Sequence, residues 1–402
     1  MRADASAAPT AATLKSQHEM TVCNSCRYCE AYCPVFQAME ERLTFSSGDV
    51  AYLANLCHNC GECLYACQYA PPHEFGIDVP ATFSALRVES YAAAAWPAFA
   101  AGAFRRPWAT AAIALAVSAL IIPIVAAPAL LVRESSRIIL PADFYGVIPH
   151  AAMVWLFGIV GLFAVAALIV GYRRFAILAD LKSPHSTNPE SRLPADLSNE
   201  ARSAKLEARR VQAGIPNPVT IAARDALTLK HLHATGEDCV DALETRRPWR
   251  RWMHHCTFYG FGLCFASTTV AAIYHLFFGW IAPYAYTSLP VILGTLGGLG
   301  LLIGPAGLFA IDRQRDSALT HSAQRAIDTP FLAMLFLTSA TGLLLLVLRE
   351  RLFMPQLLVV HLAFVLALFI TLPYGKFVHG IYRAAALVKF RRESSVEGTK
   401  TG

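Results

Sequence analysis

Charge is scarce in this chain. Of 402 residues, 15% are Asp, Glu, Lys or Arg, where a soluble domain carries about a quarter. Hydrophobic residues make up 55%. A wholly soluble protein is therefore excluded, and a membrane protein with soluble portions is expected. The net charge of +6 reads as the basic bias of a bilayer protein, not as a nucleic-acid footprint, so no nucleic-acid partner is expected. Residues 1–20 lack the apolar core of an export signal. There is no glycine-rich phosphate loop, no flavin-binding fingerprint and no Ser/His/Asp arrangement with any spacing logic. No long internal repeat is visible beyond one short motif written twice.

That motif is C-x2-C-x2-C-x3-C. It runs through Cys23, Cys26, Cys29 and Cys33, with Pro34 next, and again through Cys57, Cys60, Cys63 and Cys67. Three cysteines at i, i+3 and i+6 wrap one loop around three corners of a 4Fe–4S cube. In two-cluster ferredoxins the fourth ligates the other cluster. The expected sets are Cys23, Cys26, Cys29 and Cys67 for one cluster, and Cys57, Cys60, Cys63 and Cys33 for the other. The second run departs from the pattern, since Gln68 follows Cys67 and the prolines come later, at Pro71 and Pro72. Zinc has no use for the third and fourth cysteine of each run. Disulfides need an oxidising compartment.

The expected fold class is mainly α: an N-terminal two-cluster ferredoxin-like unit followed by a six-span transmembrane bundle. Residues 1–20 read as a disordered tail and 21–80 as the cluster unit, with too few apolar residues for a conventional core. Residues 81–108 read as a linker helix, 109–171 as spans 1 and 2, 172–251 as a cytoplasmic insertion, 252–379 as spans 3 to 6, and 380–402 as a cytoplasmic tail. The apolar segments lie near 109–132, 147–171, 252–279, 289–311, 329–348 and 356–376. Each approaches or exceeds the ~20 residues that cross a ~30 Å hydrocarbon core. Within the insertion, 219–233 reads as an amphipathic helix. His231, His233 and Cys239 are too loosely spaced for a closed zinc set, so a polar surface is expected there.

Basic residues set the orientation. Arg105 and Arg106, Arg173 and Arg174, Arg246, Arg247, Arg250 and Arg251, Arg313, Arg315 and Arg325, and Lys376, Arg383, Lys389, Arg391 and Arg392 all fall on one side. The opposite loops hold Arg133 and Arg137, none in 280–288, and Arg349 and Arg351. Positive-inside then places both termini and the clusters in the cytoplasm of an inner-membrane protein.

Ionisable side chains within spans are rare and usually functional. The third span carries His254 and His255 at its start and His275 near its end; the sixth carries His361 near its start and His379 just beyond its end. His254 or His255 shares the cytoplasmic level with His379, and His275 shares the outer level with His361. One or two b-type haems with paired histidines would need that arrangement. His361 and His379 are 18 residues apart, five turns of helix, so they face one way. From His275, His254 lies about 60° off the same face and His255 about 160° off. Phase therefore favours His254. The plainer alternative is interhelical or interfacial hydrogen bonding. His150 and His321 have no matching partners and read as polar residues.

The segments at 250–266, 289–308 and 361–387, together with the paired cysteine runs, resemble the tricarballylate utilization protein B (CitB) family over most of the chain. The last span is also similar to the gamma subunit of respiratory nitrate reductase, whose haem-binding histidines map here to His361 and His379; the gap from His254 to His275 is about twice as long as its counterpart there. The resemblance implies a partner, a cytoplasmic FAD-containing dehydrogenase that oxidises tricarballylate to cis-aconitate. The chain is then expected to pass electrons through two 4Fe–4S clusters and haem to quinone, with lipid around its spans and no acid, base or nucleophile of its own. Two alternatives stay open. One is a quinol-oxidising subunit that feeds a cytoplasmic reductase. The other is an iron–sulfur redox sensor or anchor without haem.

Overall fold

The computed structural model describes residues 8–136, 144–181, 217–232 and 249–397. Among these residues every regular element is a helix, with no strand. Most of the 172–251 insertion lies outside them, including His233 and Cys239.

From Ala11 on the chain is helix, where a loose tail to residue 20 is expected. Helix α1 spans Ala11–Cys26; the Thr10 side chain accepts the Thr13 N–H as its N-cap. Its buried residues are Thr13, Ser16, Glu19 and Met20, a helical face made mostly of small or polar side chains. Helix α2 (Pro34–Glu40) starts on Pro34, whose fixed φ suits a first helical position. Helix α3 (Ser47–Leu56) carries a capping box between Ser46 and Asp49. Gly61, at φ 97°, leads into the short α4 (Glu62–Tyr65). A Cβ at Gly61 would stand 2.7 Å from Leu319 Cδ2, an end atom that can shift, so it is the backbone of this turn that needs glycine. Helix α5 (Val79–Ala94) was expected as a linker but is part of the unit, burying Phe83, Leu86, Arg87, Ser90 and Tyr91.

A conventional apolar core holds this unit, contrary to the expectation that clusters alone would. Met20, Phe36, Met39, Tyr52, Leu53, Phe83 and Tyr91 pack with Phe175, Ile327, Tyr382, Leu387 and Phe390, which belong to the ends of the long helices. From 380 to 397 the chain is helix as well, where a tail is expected. Arg42 is fully buried and reaches its C-terminal turns, donating to Glu393 Oε1 (2.8 Å), to Asp49 Oδ1 (2.8 Å) and to the Ala38 carbonyl.

Among the described residues, six helical segments are long and apolar enough to cross a membrane. They are α6 (Pro107–Ser136), α7 (His150–Leu178), α9 (Trp249–Phe278), α10 (Leu289–Gln314), α11 (Ser322–Leu348) and α12 (Met354–Thr371), the last continuing through a short 3-10 turn into α13 (Val378–Glu397). The amphipathic helix α8 (Pro218–Leu227) packs on α13. Helices α6, α7, α11 and α12 share a core at the end away from the cysteines, around Ile122, Ile148, Leu345 and Leu358. Helices α9 and α10 form a tight pair because α10 lays a glycine seam against α9. A Cβ at Gly297 would meet Cys264 N at 2.8 Å, one at Gly300 would meet Cys256 O at 2.9 Å, and one at Gly304 would meet Thr257 N at 2.6 Å. Small residues at such spacing let helix backbones approach closely in lipid.

Candidate functional site

Two cavities of about 270 Å³ each lie in the N-terminal unit. Cys33, Cys57, Cys60 and Cys63 line one. Cys23, Cys26, Cys29 and Cys67 line the other, and Cys63 lines both. Local structure explains the crossing. Cys33 caps α2 and Cys67 follows α4, so each fourth cysteine is carried away from its own loop. Among the described residues no three His, Cys, Asp or Glu side chains close on a single-ion site; the thiols ring hollows instead.

The donors fit a metal cluster. Burial, then the neighbouring thiols, pushes the Cys23, Cys33 and Cys63 thiols up. Thiols gathered this way resist ionisation by themselves, and metal charge offsets that cost because the ligand is the thiolate. The Asn59 N–H points at Cys57 Sγ at 3.3 Å, a contact of the kind that tunes iron–sulfur centres.

The loop from Cys57 to Cys60 rests on the long helices. Arg383 Nη2 donates to the Cys57 carbonyl at 2.6 Å, and Arg87 Nη1 to the same oxygen at 3.2 Å. Arg250 donates to His58 O (3.0 Å) and Asn59 O (3.1 Å). Arg315 donates to Asn59 O (2.7 Å). A hydrogen-bonded chain also leaves this loop. Arg87 Nε donates to Gln324 Oε1 (3.3 Å), and Gln324 Nε2 to Asp328 Oδ1 (2.7 Å). Lys376 pairs with Asp328 at 2.6 Å, and the Lys376 carbonyl accepts from His379 Nδ1 at 2.6 Å.

His379 faces His254 with ring centres 6.0 Å apart. Helix α9 packs its backbone closely on α10 and meets α12–α13 through side chains, here and where Phe261 meets Phe377. His255 packs instead with Trp252 and Tyr259. The donors suit an iron porphyrin. The bond from His379 Nδ1 to a carbonyl leaves Nε2 free, the usual orientation of a metal-binding histidine. His254 Nδ1 is buried with no hydrogen-bond partner among the described residues.

At the far end His275 and His361 each have another neighbour. His275 lies against His150, ring centres 3.8 Å apart and planes tilted by 30°, with Tyr145 at 5.4 Å from His275. His361 is held by α11, its Nδ1 3.1 Å from Thr341 Oγ1. His150 follows a loop outside the span's apolar pattern, so sequence phase gave no route to it. In the insertion, burial holds His231 down to about 4, against the pull of Asp225, whose carboxylate stands 3.7 Å away.

Comparison with known proteins agrees with this division. Residues 16–93 match the family described as citrate utilization protein B Fer4-like domain, and residues 105–400 match citrate utilization protein B. The citrate utilization protein B of Escherichia coli is 43% identical over 375 residues, covering 93% of this chain and 90% of that protein. No solved structure matches. A ferredoxin-like domain with eight cysteines at this spacing points to iron–sulfur chemistry and an electron-transfer role.

Proposed function

The chain belongs to the citrate utilization protein B family, and from that premise we propose that it carries electrons from a reduced cytoplasmic flavoprotein dehydrogenase, through two 4Fe–4S clusters and b-type haem, to the quinone pool. The clusters and haem supply one-electron transfer when bound; the chain's work is to hold and tune them. Cys23, Cys26, Cys29 and Cys67 hold one cluster, and Cys33, Cys57, Cys60 and Cys63 the other. His254 and His379 hold haem at the level nearer the clusters. A second haem at the far end would need His275 and His361, and the contact of His275 with His150 counts against that pair.

The observation that carries this reading is the bond from Arg383 to the Cys57 carbonyl. Arg383 stands one turn after His379 on the same helix, so the cysteine loop is seated over the histidine pair. The dehydrogenase is assigned from family resemblance. Its substrate class is a tricarboxylic acid, tricarballylate on that resemblance, while the relative's name says citrate. The bias of basic residues supports a cytoplasmic side of the inner membrane for the clusters and both termini, where a soluble partner and protons for quinone are both at hand.

An anaerobic optical spectrum of the purified chain, with iron and haem quantified, tests the reading. It predicts a b-type haem band and about eight non-haem irons per chain. Iron without haem would leave an iron–sulfur sensor or anchor as the better account.

A further inference from the structure

The two cysteine cavities differ in the charge that faces them. Arg87, Arg250, Arg315 and Arg383 all donate to carbonyls between Cys57 and Cys60, and the cavity there also takes in Lys230, His58 and His231. The one carboxylate in its lining is Glu62. The lining of the other cavity holds no Lys, Arg, Asp or Glu. The charges closest to it along the chain are the exposed Arg27 and Glu30, beside Cys26 and Cys29, and Glu19, fully buried one turn before Cys23 and paired with Lys15 at 3.6 Å.

We infer that these four arginines hold the cluster at Cys33, Cys57, Cys60 and Cys63 at a higher reduction potential than the cluster at Cys23, Cys26, Cys29 and Cys67, so that an electron entering the chain comes to rest beside the spans. The inference rests on the two-cluster reading above. Reduction adds one negative charge to a cluster. Fixed positive charge close by, and hydrogen bonds aimed at its loop, favour that reduced form. A guanidinium stays protonated at any working pH, so its charge does not drain away. Burial acts the other way, because a more negative cluster is harder to desolvate. Cys57 is buried while Cys23, Cys26, Cys29 and Cys67 are half-buried, so burial alone would reverse the order. Four full charges within the loop's hydrogen-bond shell, at a site where water screens little, outweigh that difference. The order gives the wire a direction: the cluster with exposed Tyr28 at its mouth is the entrance, and the arginine-faced cluster passes electrons to the histidine level.

The test is a redox titration of the full-length protein followed by electron paramagnetic resonance, with Cys26→Ser and Cys60→Ser assigning the two signals. The higher potential should belong to the signal that Cys60→Ser removes. Arg315 lies outside the spans, which makes it the variant of choice. Arg315→Gln should lower that potential by roughly tenfold in the reduced-to-oxidised ratio, about 59 mV for one electron, and leave the other signal in place. Arg315→Lys, which keeps the charge, should stay near wild type. The reverse order in wild type would overturn the inference without any arginine variant. So would a Lys variant that shifts as far as Gln, or a Gln variant that shifts neither signal. A chain that binds no iron overturns the two-cluster reading itself, whereas full iron with reversed or unmoved potentials overturns this inference alone.

Discussion

The guanidinium of Arg383 donates to the carbonyl of Cys57 at 2.6 Å, joining the cysteine-rich unit to the segment that carries His379. Two parts far apart in sequence thereby become one path. The path has separable pieces, and each can be broken alone.

At the histidine level, His254→Ala and His379→Ala should each abolish the haem band while non-haem iron is retained. His255→Ala should keep it, because His255 packs on Trp252 and Tyr259 and not toward His379. Optical spectra with iron quantification check all three. Equal loss in the His255 variant would show that α9 presents a different face.

The cysteine sets should fail independently. Cys60→Ser should remove one cluster and Cys26→Ser the other, each taking iron from about eight per chain toward four, with haem still present. Loss of all iron in either variant would mean that the two cavities assemble as one unit.

Gly304 is a remote test of the same geometry. A Cβ there would stand 2.6 Å from Thr257 N and 2.8 Å from Met253 O, on either side of His254 in the chain. Backbone cannot yield as a flexible side chain can. Gly304→Val should push α9 away from α10 and lower haem content several-fold while cluster iron persists.

The segment at 217–232 should respond to acid through His231. Burial holds its folded pKa at about 4, below the ~6.5 of an unfolded histidine. The released segment therefore binds a proton more readily than the packed one. Packing is undisturbed above about pH 6.5 and weakens progressively as pH falls toward 4. Hydrogen exchange of this segment should quicken over that window, and His231→Gln should flatten the response.

Much of this was legible in the sequence because its causes are local. Cysteine spacing specifies which thiols share a loop, Pro34 starts a helix, and twenty apolar residues span a bilayer. Helical phase separated His254 from His255. What stayed hidden depends on partners distant in the chain. The buried face of α1 is Thr13, Ser16 and Glu19, residues that read as a tail until Thr82 and the Asp78 N–H bond Glu19. Lys389 and Glu393 look like an exposed terminus, yet they are buried against Tyr52 and Arg42. Arg250, Arg315 and Arg383 read as a bias of membrane orientation. In the structure they are also the hands that grip the Cys57–Cys60 loop.

On the proposed function, electrons held by the two N-terminal clusters leave through the His254–His379 level. The most direct measurement mixes the fully reduced protein, in liposomes, with a water-soluble ubiquinone analogue and follows cluster reoxidation by stopped-flow absorbance. Wild type should reoxidise rapidly. His379→Ala, with its iron intact, should slow by tenfold or more. Reoxidation of that variant at the wild-type rate would contradict the account.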